Sequence, residues 1–294
     1  YSKNRPIEVL NKIAKNMANT ISHRGPDDSG IWCNEGIGLS HRRLSIVDLS
    51  SAGHQPMLSN CGRYTLVFNG EIYNHHSIRK QLNSTNKNIV WRGDSDTEVL
   101  LNAIVNWGIE NTLKFCEGMF AIALWDSVDQ KLFLARDRFG EKPLYYGYVN
   151  KDFVFASELK AIKIHPEFNN ELNREAISKF LSLSYIPCPL SIYKGISKLP
   201  PSHILCIDFL NKNEIITSYW KLSINKNIDF SNDNFIIENL HKSLSRAVSD
   251  QMIADVPVGS FLSGGIDSSL IVALMQENSN KPINTFTIGY EDLA

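Results

Sequence analysis

The sequence has almost no excess of charge of either sign: 30 Lys and Arg face 31 Asp and Glu over 294 residues, a formal net charge of -1. That balance removes the electrostatic basis for gripping a phosphate backbone or an anionic membrane surface, so neither nucleic acid nor membrane is expected as a partner. No run of 18 apolar residues occurs, which excludes a helix spanning a bilayer. The opening, Tyr1 to Arg5, lacks the basic-then-apolar layout of a signal peptide. Cysteine is scarce. Cys33, Cys61, Cys116, Cys188 and Cys206 are odd in number, irregularly spaced and free of any CxxC pair, so neither a disulfide framework nor a zinc site is predicted. A reducing cytoplasm is the simplest compartment for such a chain. Internal repeats and low-complexity tracts are also lacking. What remains is ordinary globular material, 43% hydrophobic and 21% charged, long enough for one large domain or two.

Val9, Ile13, Met17 and Ile21 recur at near-helical spacing, which predicts a first helix from about Pro6 to Ile21. The cluster His23-Arg24-Gly25-Pro26-Asp27-Asp28-Ser29-Gly30 reads as a turn. Short apolar segments follow at Ile37 to Ser40, Leu44 to Val47 and Tyr64 to Asn69. A second helix is expected to start near Ser95 and Asp96 and to stop at Gly108. Met119 to Trp125, Lys131 to Ala135, Leu144 to Tyr148 and Phe153 to Phe155 read as consecutive strands separated by Asp- or Gly-containing turns. Many strands and few helices up to about residue 210 predict an α+β layered domain. The polar run Asn225 to Asn234 is the linker candidate, giving expected boundaries of 1–210, 211–234 and 235–294. Beyond it, Ile236, Leu240, Leu244, Val248 and Met252 make one face of a long helix. Val258 to Leu262, Ser268 to Gln276 and Asn284 to Gly289 then read as strand, helix and strand, one βαβ unit opening a parallel sheet.

The most concentrated local chemistry is Leu262-Ser263-Gly264-Gly265-Ile266-Asp267-Ser268-Ser269, between that strand and helix. The glycines let bare N–H groups approach a ligand, and the three hydroxyls with the positive end of the helix complete an anion cradle. Asp267 is placed to hold Mg²⁺ bridging phosphate oxygens. A serine-capped strand-to-helix turn is the plain alternative. The spacing is not that of the GxxxxGK[ST] loop, and no lysine follows. The string resembles the pyrophosphate loop of N-type ATP pyrophosphatases, which implies ATP as the ligand, with backbone at Leu262 and Ile288 around the adenine.

Upstream, polar islands interrupt the apolar strands. Taken singly, Asn69-Gly70 is a hairpin-turn signal, Arg43 a surface ion-pair former and Asp96 a helix cap. Taken together, His23-Arg24-Gly25-Pro26-Asp27-Asp28-Ser29-Gly30, Gly53-His54-Gln55-Pro56, Asn69-Gly70-Glu71-Ile72-Tyr73-Asn74 and Arg136-Asp137-Arg138-Phe139-Gly140-Glu141-Lys142-Pro143-Leu144-Tyr145-Tyr146 resemble the class II glutamine amidotransferases. They stand in family order, followed by the Ser-Gly-Gly loop where the synthetase domain of the asparagine synthetases begins. The resemblance covers essentially the whole chain. It implies an α/β/β/α sandwich of the N-terminal-nucleophile hydrolase type, followed by the start of an α/β, Rossmann-like ATP-pyrophosphatase domain. It implies a glutamine site formed by Arg43, Ile46, Asn69, Glu71 and Asp96. Arg43 would fork onto the α-carboxylate, Asp96 and Glu71 would hold the ammonium, and Asn69 with the Gly70 N–H would stabilise the tetrahedral oxyanion. Its substrates would be glutamine, aspartate and ATP with Mg²⁺, in a homodimer, with aspartate activated as β-aspartyl-AMP and ammonia displacing AMP.

The family nucleophile is an N-terminal cysteine whose own amine is the base. Tyr1 stands first here, and Cys33 is internal with no free amine. The expectation is therefore of a chain short at both ends, neither hydrolysing glutamine nor completing asparagine synthesis. Two other readings stay open: an amidotransferase acting on a different carboxylate, and a non-catalytic module that binds glutamine or a protein partner.

Overall fold

A computed structural model describes residues 1, 5–34, 36–224 and 232–289. Its contacts divide the chain into two units, Tyr1–Lys221 and Leu222–Ala294.

The first unit is organised by the two-residue period of its strands. Along β5 (Gly118–Asp126), Phe120, Ile122 and Leu124 point to one side while Ala121, Ala123 and Trp125 point to the other. Both sides are buried, so the strand carries an unbroken apolar run and must lie at the centre of a layered structure. It pairs antiparallel with β4 (Tyr64–Ile72) and β6 (Lys131–Arg136). The sheet is completed by β3 (Met57–Leu58) beyond β4, and by β10 (His203–Asp208) and β11 (Asn213–Ser218) beyond β6. The Phe120 side packs under α2 (His75–Thr85), α3 (Asp96–Trp107) and α4 (Ile109–Phe115) through Ile78, Leu82, Leu100, Ile104 and Leu113. The Ala121 side faces a second layer made of the hairpin β1 (Asp28–Asn34) with β2 (Ile37–Arg43), and of β7 (Tyr145–Val149) between β8 (Asp152–Ala156) and β9 (Ile196–Lys198). On the far side of that layer lie α1 (Ile7–Thr20) and α5 (Leu159–Lys163), with Met17 and Ile162 packed on Val149, Val154 and Ile196. The helix α6 (Arg174–Leu183) follows, capped by Asn173. The layer order is helix, sheet, sheet, helix, as expected.

The second unit holds α7 (Asp233–Asp250), β12 (Gly259–Phe261), α8 (Ile266–Glu277) and β13 (Asn284–Phe286), with β12 and β13 parallel. Among its described residues the buried side chains are Val248, Leu274 and Met275.

Several details differ from the sequence reading, which also named none of α4, α5 and α6. The helix α2 was not expected, because His75-His76-Ser77-Ile78-Arg79-Lys80 offers only Ile78 and Leu82 as an apolar pair; burial of both under β4 fixes it. Leu44 to Val47 is a loop, since the Arg43 side chain draws in the carbonyls that follow. The turn cluster gives way to strand at Asp28. The first unit runs to Lys221 and not to 210, because β11 pairs along β10. Most of the expected linker, 225–231, lies outside the described residues.

Candidate functional site

Between the two sheet layers of the first unit lies a cavity of about 360 Å³. Alanines at 121 and 123 form part of its wall, where larger side chains would fill the interlayer space. Arg43, Ile46, Asn69, Gly70, Glu71 and Asp96, the six residues expected at a glutamine site, all line it. Asn69-Gly70 is not a turn: the pair sits inside β4, opposite Ala121 and Phe120. Backbone alternation fixes which way Gly70 points. The Phe68 N–H donates to Gln55 Oε1 (2.7 Å) and the Ile72 N–H to Asp96 Oδ2 (2.9 Å), both away from β5. Gly70, midway between them, shares that direction, so its N–H faces the cavity. Only glycine fits there, because a Cβ would lie 2.1 Å from the Met119 carbonyl oxygen. The Asn69 side chain lies on the interlayer face, its Nδ2 donating to Ser157 Oγ at 3.4 Å.

Arg43 is not a surface ion pair. It is buried, and its guanidinium donates to the carbonyls of Ser50 (3.0 Å), Val47 (3.3 Å) and Asp48. Those bonds curl residues 44–50 around it and leave two of its five N–H groups outside them. Asp48 locks the loop from the other side: its carboxylate accepts the Ser50 N–H (3.0 Å), the Ser50 hydroxyl and the Asp94 N–H (2.9 Å). Against burial, these bonds hold the Asp48 carboxyl below its ordinary range. Asp96 is the first residue of α3, not its cap, which is Ser95 accepting from the Glu98 N–H. Burial raises the Asp96 carboxyl to about 6, outweighing the Ile72 N–H bond and the nearby Arg43. Glu71 is also raised, by burial first and by Asp96, while Lys142 opposes the rise. His41 on β2 is pushed down to about 4 by burial and by Arg43, so it adds no charge to the wall at neutral pH.

Gln55, Thr97, Lys142 and Ser157 also line the cavity and were not expected there. Lys142 is delivered by the motif after β6. The buried Asp137 carboxylate accepts N–H bonds from Phe120, Phe139, Glu141 and Lys142 at 2.9–3.2 Å. Arg136 clasps the same turn through the carbonyls of Lys142 (2.7 Å), Leu199 (2.8 Å) and Gly140 (2.5 Å). The tandem of charged residues is therefore scaffolding, a role the sequence pattern alone did not disclose.

A narrower groove adjoins the cavity, sharing Met17, Ser40 and Phe155 with it and continuing past Gly38, Phe153 and Tyr1. It separates β2 from β8, and no ladder joins these strands among the described residues. Tyr1 occupies one end, exchanging both backbone bonds with Phe153 (2.7 and 3.1 Å) in an antiparallel pair. Cys33, on β1, does not line the cavity.

In the second unit the turn after β12 opens into α8. Gly264 has φ +80°, and a Cβ there would meet nothing within 4 Å. The Leu262 N–H donates to Phe286 O (2.9 Å), the Ser263 and Ser268 hydroxyls lie 3.0 Å apart, and Ser268 Oγ bonds to Gly265 O (3.1 Å). No side chain caps the helix, and residues 263–267 at its start are exposed beside the hydroxyls of Ser263 and Ser268. Asp267 and Ser269 stand in the first turn of α8, and Ile288 follows β13. Among the described residues no group of three or more His, Cys, Asp or Glu is placed to hold a metal ion; Mg²⁺ typically takes one or two carboxylates and completes its shell with phosphate and water.

A family model described as a glutamine amidotransferase domain matches residues 2–220, three quarters of the chain. The chain belongs to that family. A second model, asparagine synthase, matches residues 239–294. Among curated relatives, asparagine synthetase [glutamine-hydrolyzing] 3 of Bacillus subtilis is 37% identical over 94% of this chain and 45% of its own length. Asparagine synthetase [glutamine-hydrolyzing] 1 of the same organism is 36% identical over 95% and 43%. Amidase chry2 of Gibberella zeae is 34% identical over 91% and 40%. The chain thus spans about half the length of the curated relatives it matches. Among solved structures, the glutamine phosphoribosylpyrophosphate amidotransferase of B. subtilis shares the fold, with a TM-score of 0.51 at 19% identity, covering 94% of this chain and 62% of the other. Among the described residues, no helix is long and apolar enough to cross a membrane.

Proposed function

We propose that the first unit binds glutamine and is the glutaminase part of a longer enzyme, one that carries out ATP-dependent asparagine synthesis from aspartate. The observation that carries this reading is the convergence of Arg43, Asn69, Gly70, Glu71 and Asp96 on one cavity. The remaining Arg43 N–H groups receive the α-carboxylate, and Asp96 with Glu71 receives the α-ammonium. The Asn69 amide and the Gly70 N–H then stand at the end of β4 where a side-chain amide oxygen becomes an oxyanion. The family nucleophile, an N-terminal cysteine thiolate, would be presented by a strand that continues along β8 ahead of Tyr1. Ser157, the partner of Asn69, follows the last residue of β8, four residues and about 13 Å beyond Phe153. The sulfur bonds to the amide carbon, the free terminal amine relays a proton to the leaving nitrogen, and ammonia departs. Water then splits the thioester, releasing glutamate and regenerating the thiol.

In the second unit, Leu262, Ser263, Gly264, Gly265, Asp267, Ser268, Ser269 and Ile288 are assigned to ATP and its pyrophosphate, and Asp267 to Mg²⁺. When bound, ATP supplies the adenylyl group that makes a carboxylate reactive. The chain's own part is to hold phosphate oxygens with the N–H groups of α8 and the hydroxyls of Ser263, Ser268 and Ser269. A cytoplasmic homodimer is the assembly assigned. The second reading keeps both units and replaces aspartate by a different carboxylate acceptor.

The test uses glutamine calorimetry on the chain and on Arg43→Ala. Binding that Arg43→Ala abolishes is expected. A Cys-Gly-Ile strand fused ahead of Tyr1, with its initiator Met removed, is expected to release ammonia from glutamine, and a Cys→Ala version of it is not. Ammonia release indifferent to Arg43→Ala overturns the assignment of the site. An extended protein that folds and binds glutamine but never releases ammonia makes the non-catalytic module the better reading.

A further inference from the structure

Lys142 is one of three cationic side chains on the cavity wall, with Arg24 and Arg42, that the proposed chemistry leaves unused. It sits on a part of the chain with little freedom: its N–H donates to Asp137 Oδ2 at 3.0 Å and its carbonyl accepts from Arg136 Nε at 2.7 Å. The side chain is half-buried and lines the same cavity as Glu71 and Asp96. No ion pair of Lys142 within 4 Å exists among the described residues, so its ammonium is not spent on a fixed partner there. Arg43 differs, since three carbonyls already hold it. Glu71 and Asp96 are two carboxylates on one buried wall, the arrangement in which one of a pair tends to keep its proton. A cation beside the pair favours the form in which both are charged.

We propose that Lys142 is a positioning residue for this site, keeping Glu71 ionised beside Asp96 so that an incoming α-ammonium group meets a carboxylate at neutral pH. The proposal rests on the amino-acid-binding reading of the cavity. The groups that face Glu71 are Lys142 from the turn after β6, Asp96 from α3, and Tyr73 just beyond β4, with Arg43 on β2 facing Asp96. Lys142 is the cation acting on Glu71 directly. Burial and Asp96 both push the Glu71 carboxyl upward, and Lys142 alone among these neighbours pulls it down. Removing the ammonium lets the carboxyl rise further, so the charged form is lost as pH falls from a higher starting point.

Two measurements test this. In the free protein, carbon-detected NMR follows the Glu71 side-chain carboxyl through pH in the parent chain, Lys142→Met and Lys142→Arg. The Met variant is expected to titrate at least about half a pH unit higher, and the Arg variant with the parent. Calorimetry then measures glutamine affinity from pH 5 to 9. Lys142→Met is expected to bind about threefold more weakly near the displaced midpoint and to regain the parent affinity at pH 9. In a Glu71→Gln background, adding Lys142→Met is expected to change nothing. An unmoved Glu71 midpoint in Lys142→Met overturns the proposal, as does an affinity loss that is equal at every pH or that persists with Glu71→Gln. If the parent chain binds no glutamine at any pH, the amino-acid reading of the cavity fails, while the carboxyl titration still decides the role of Lys142.

Discussion

Replacing Asp96 by Asn separates the stability of the first unit from its function. The carboxyl is buried and raised from 3.8 to about 6, so its charged form is disfavoured in the folded state by about 3 kcal/mol. The sign follows from proton binding. Between these two values the folded chain holds a proton that the unfolded chain has released, so stability is greater below pH 4 and is lost as pH rises through 6. The Asp96→Asn side chain keeps an acceptor for the Ile72 N–H, which Asp96 Oδ2 now receives at 2.9 Å, and its amide can donate to Thr97 Oγ1. Part of the gain is offset because the new amide hydrogens need partners. The expected net effect is a variant more stable by about 1–3 kcal/mol at pH 8 and, since the offset does not depend on pH, no more stable than the parent near pH 4. All five tryptophans, Trp32, Trp91, Trp107, Trp125 and Trp220, lie in the first unit, so tryptophan fluorescence during guanidinium unfolding reports that unit alone. The same variant is expected to lose glutamine binding, because it removes the buried charge assigned to the ammonium. An Asp96→Asn protein that is less stable at pH 8, or whose gain is the same at pH 4 and pH 8, refutes the reasoning.

Gly70→Ala is expected to cost about 2–3 kcal/mol in the same unfolding assay, since its Cβ would sit 2.1 Å from Met119 O and 2.7 Å from Phe120 Cα, in backbone that cannot move aside. Asp137→Ala removes the acceptor of four N–H groups and is expected to cost at least about 3 kcal/mol, with loss of the ordered turn that carries Lys142 visible as amide exchange at residues 139–142. The second unit buries few side chains, so the amides of β12 and β13 are expected to exchange orders of magnitude faster than those of β4 and β5 in native-state hydrogen exchange. Equal protection of the two sheets would show that the second unit holds together by more than this small cluster.

The layered α+β class was legible because β5 and β6 alternate on a buried surface, and alternation is written in residue order. Likewise α1, α3 and α7 announced themselves through helical spacing, and α3 also through Ser95 and Gly108 at its ends. The helix α2 did not, since two apolar residues in eleven carry no periodic signal without the sheet they cover. The motif residues at 43, 69, 70, 71 and 96 could be read as a set, yet the sequence could not say that they share a cavity. Their convergence depends on β2, β4 and the start of α3 meeting across a sheet interface thinned by Ala121 and Ala123. Only the fold decided that Asn69-Gly70 lies in a strand and not a turn, because β5 pairs along its whole length. Only the fold turned the Gly70 N–H toward the cavity, set the Asp96 carboxyl near 6 and brought Lys142 to Glu71. Residue type and spacing record what each segment prefers locally, whereas burial, direction and charge proximity belong to pairs of segments far apart in the chain.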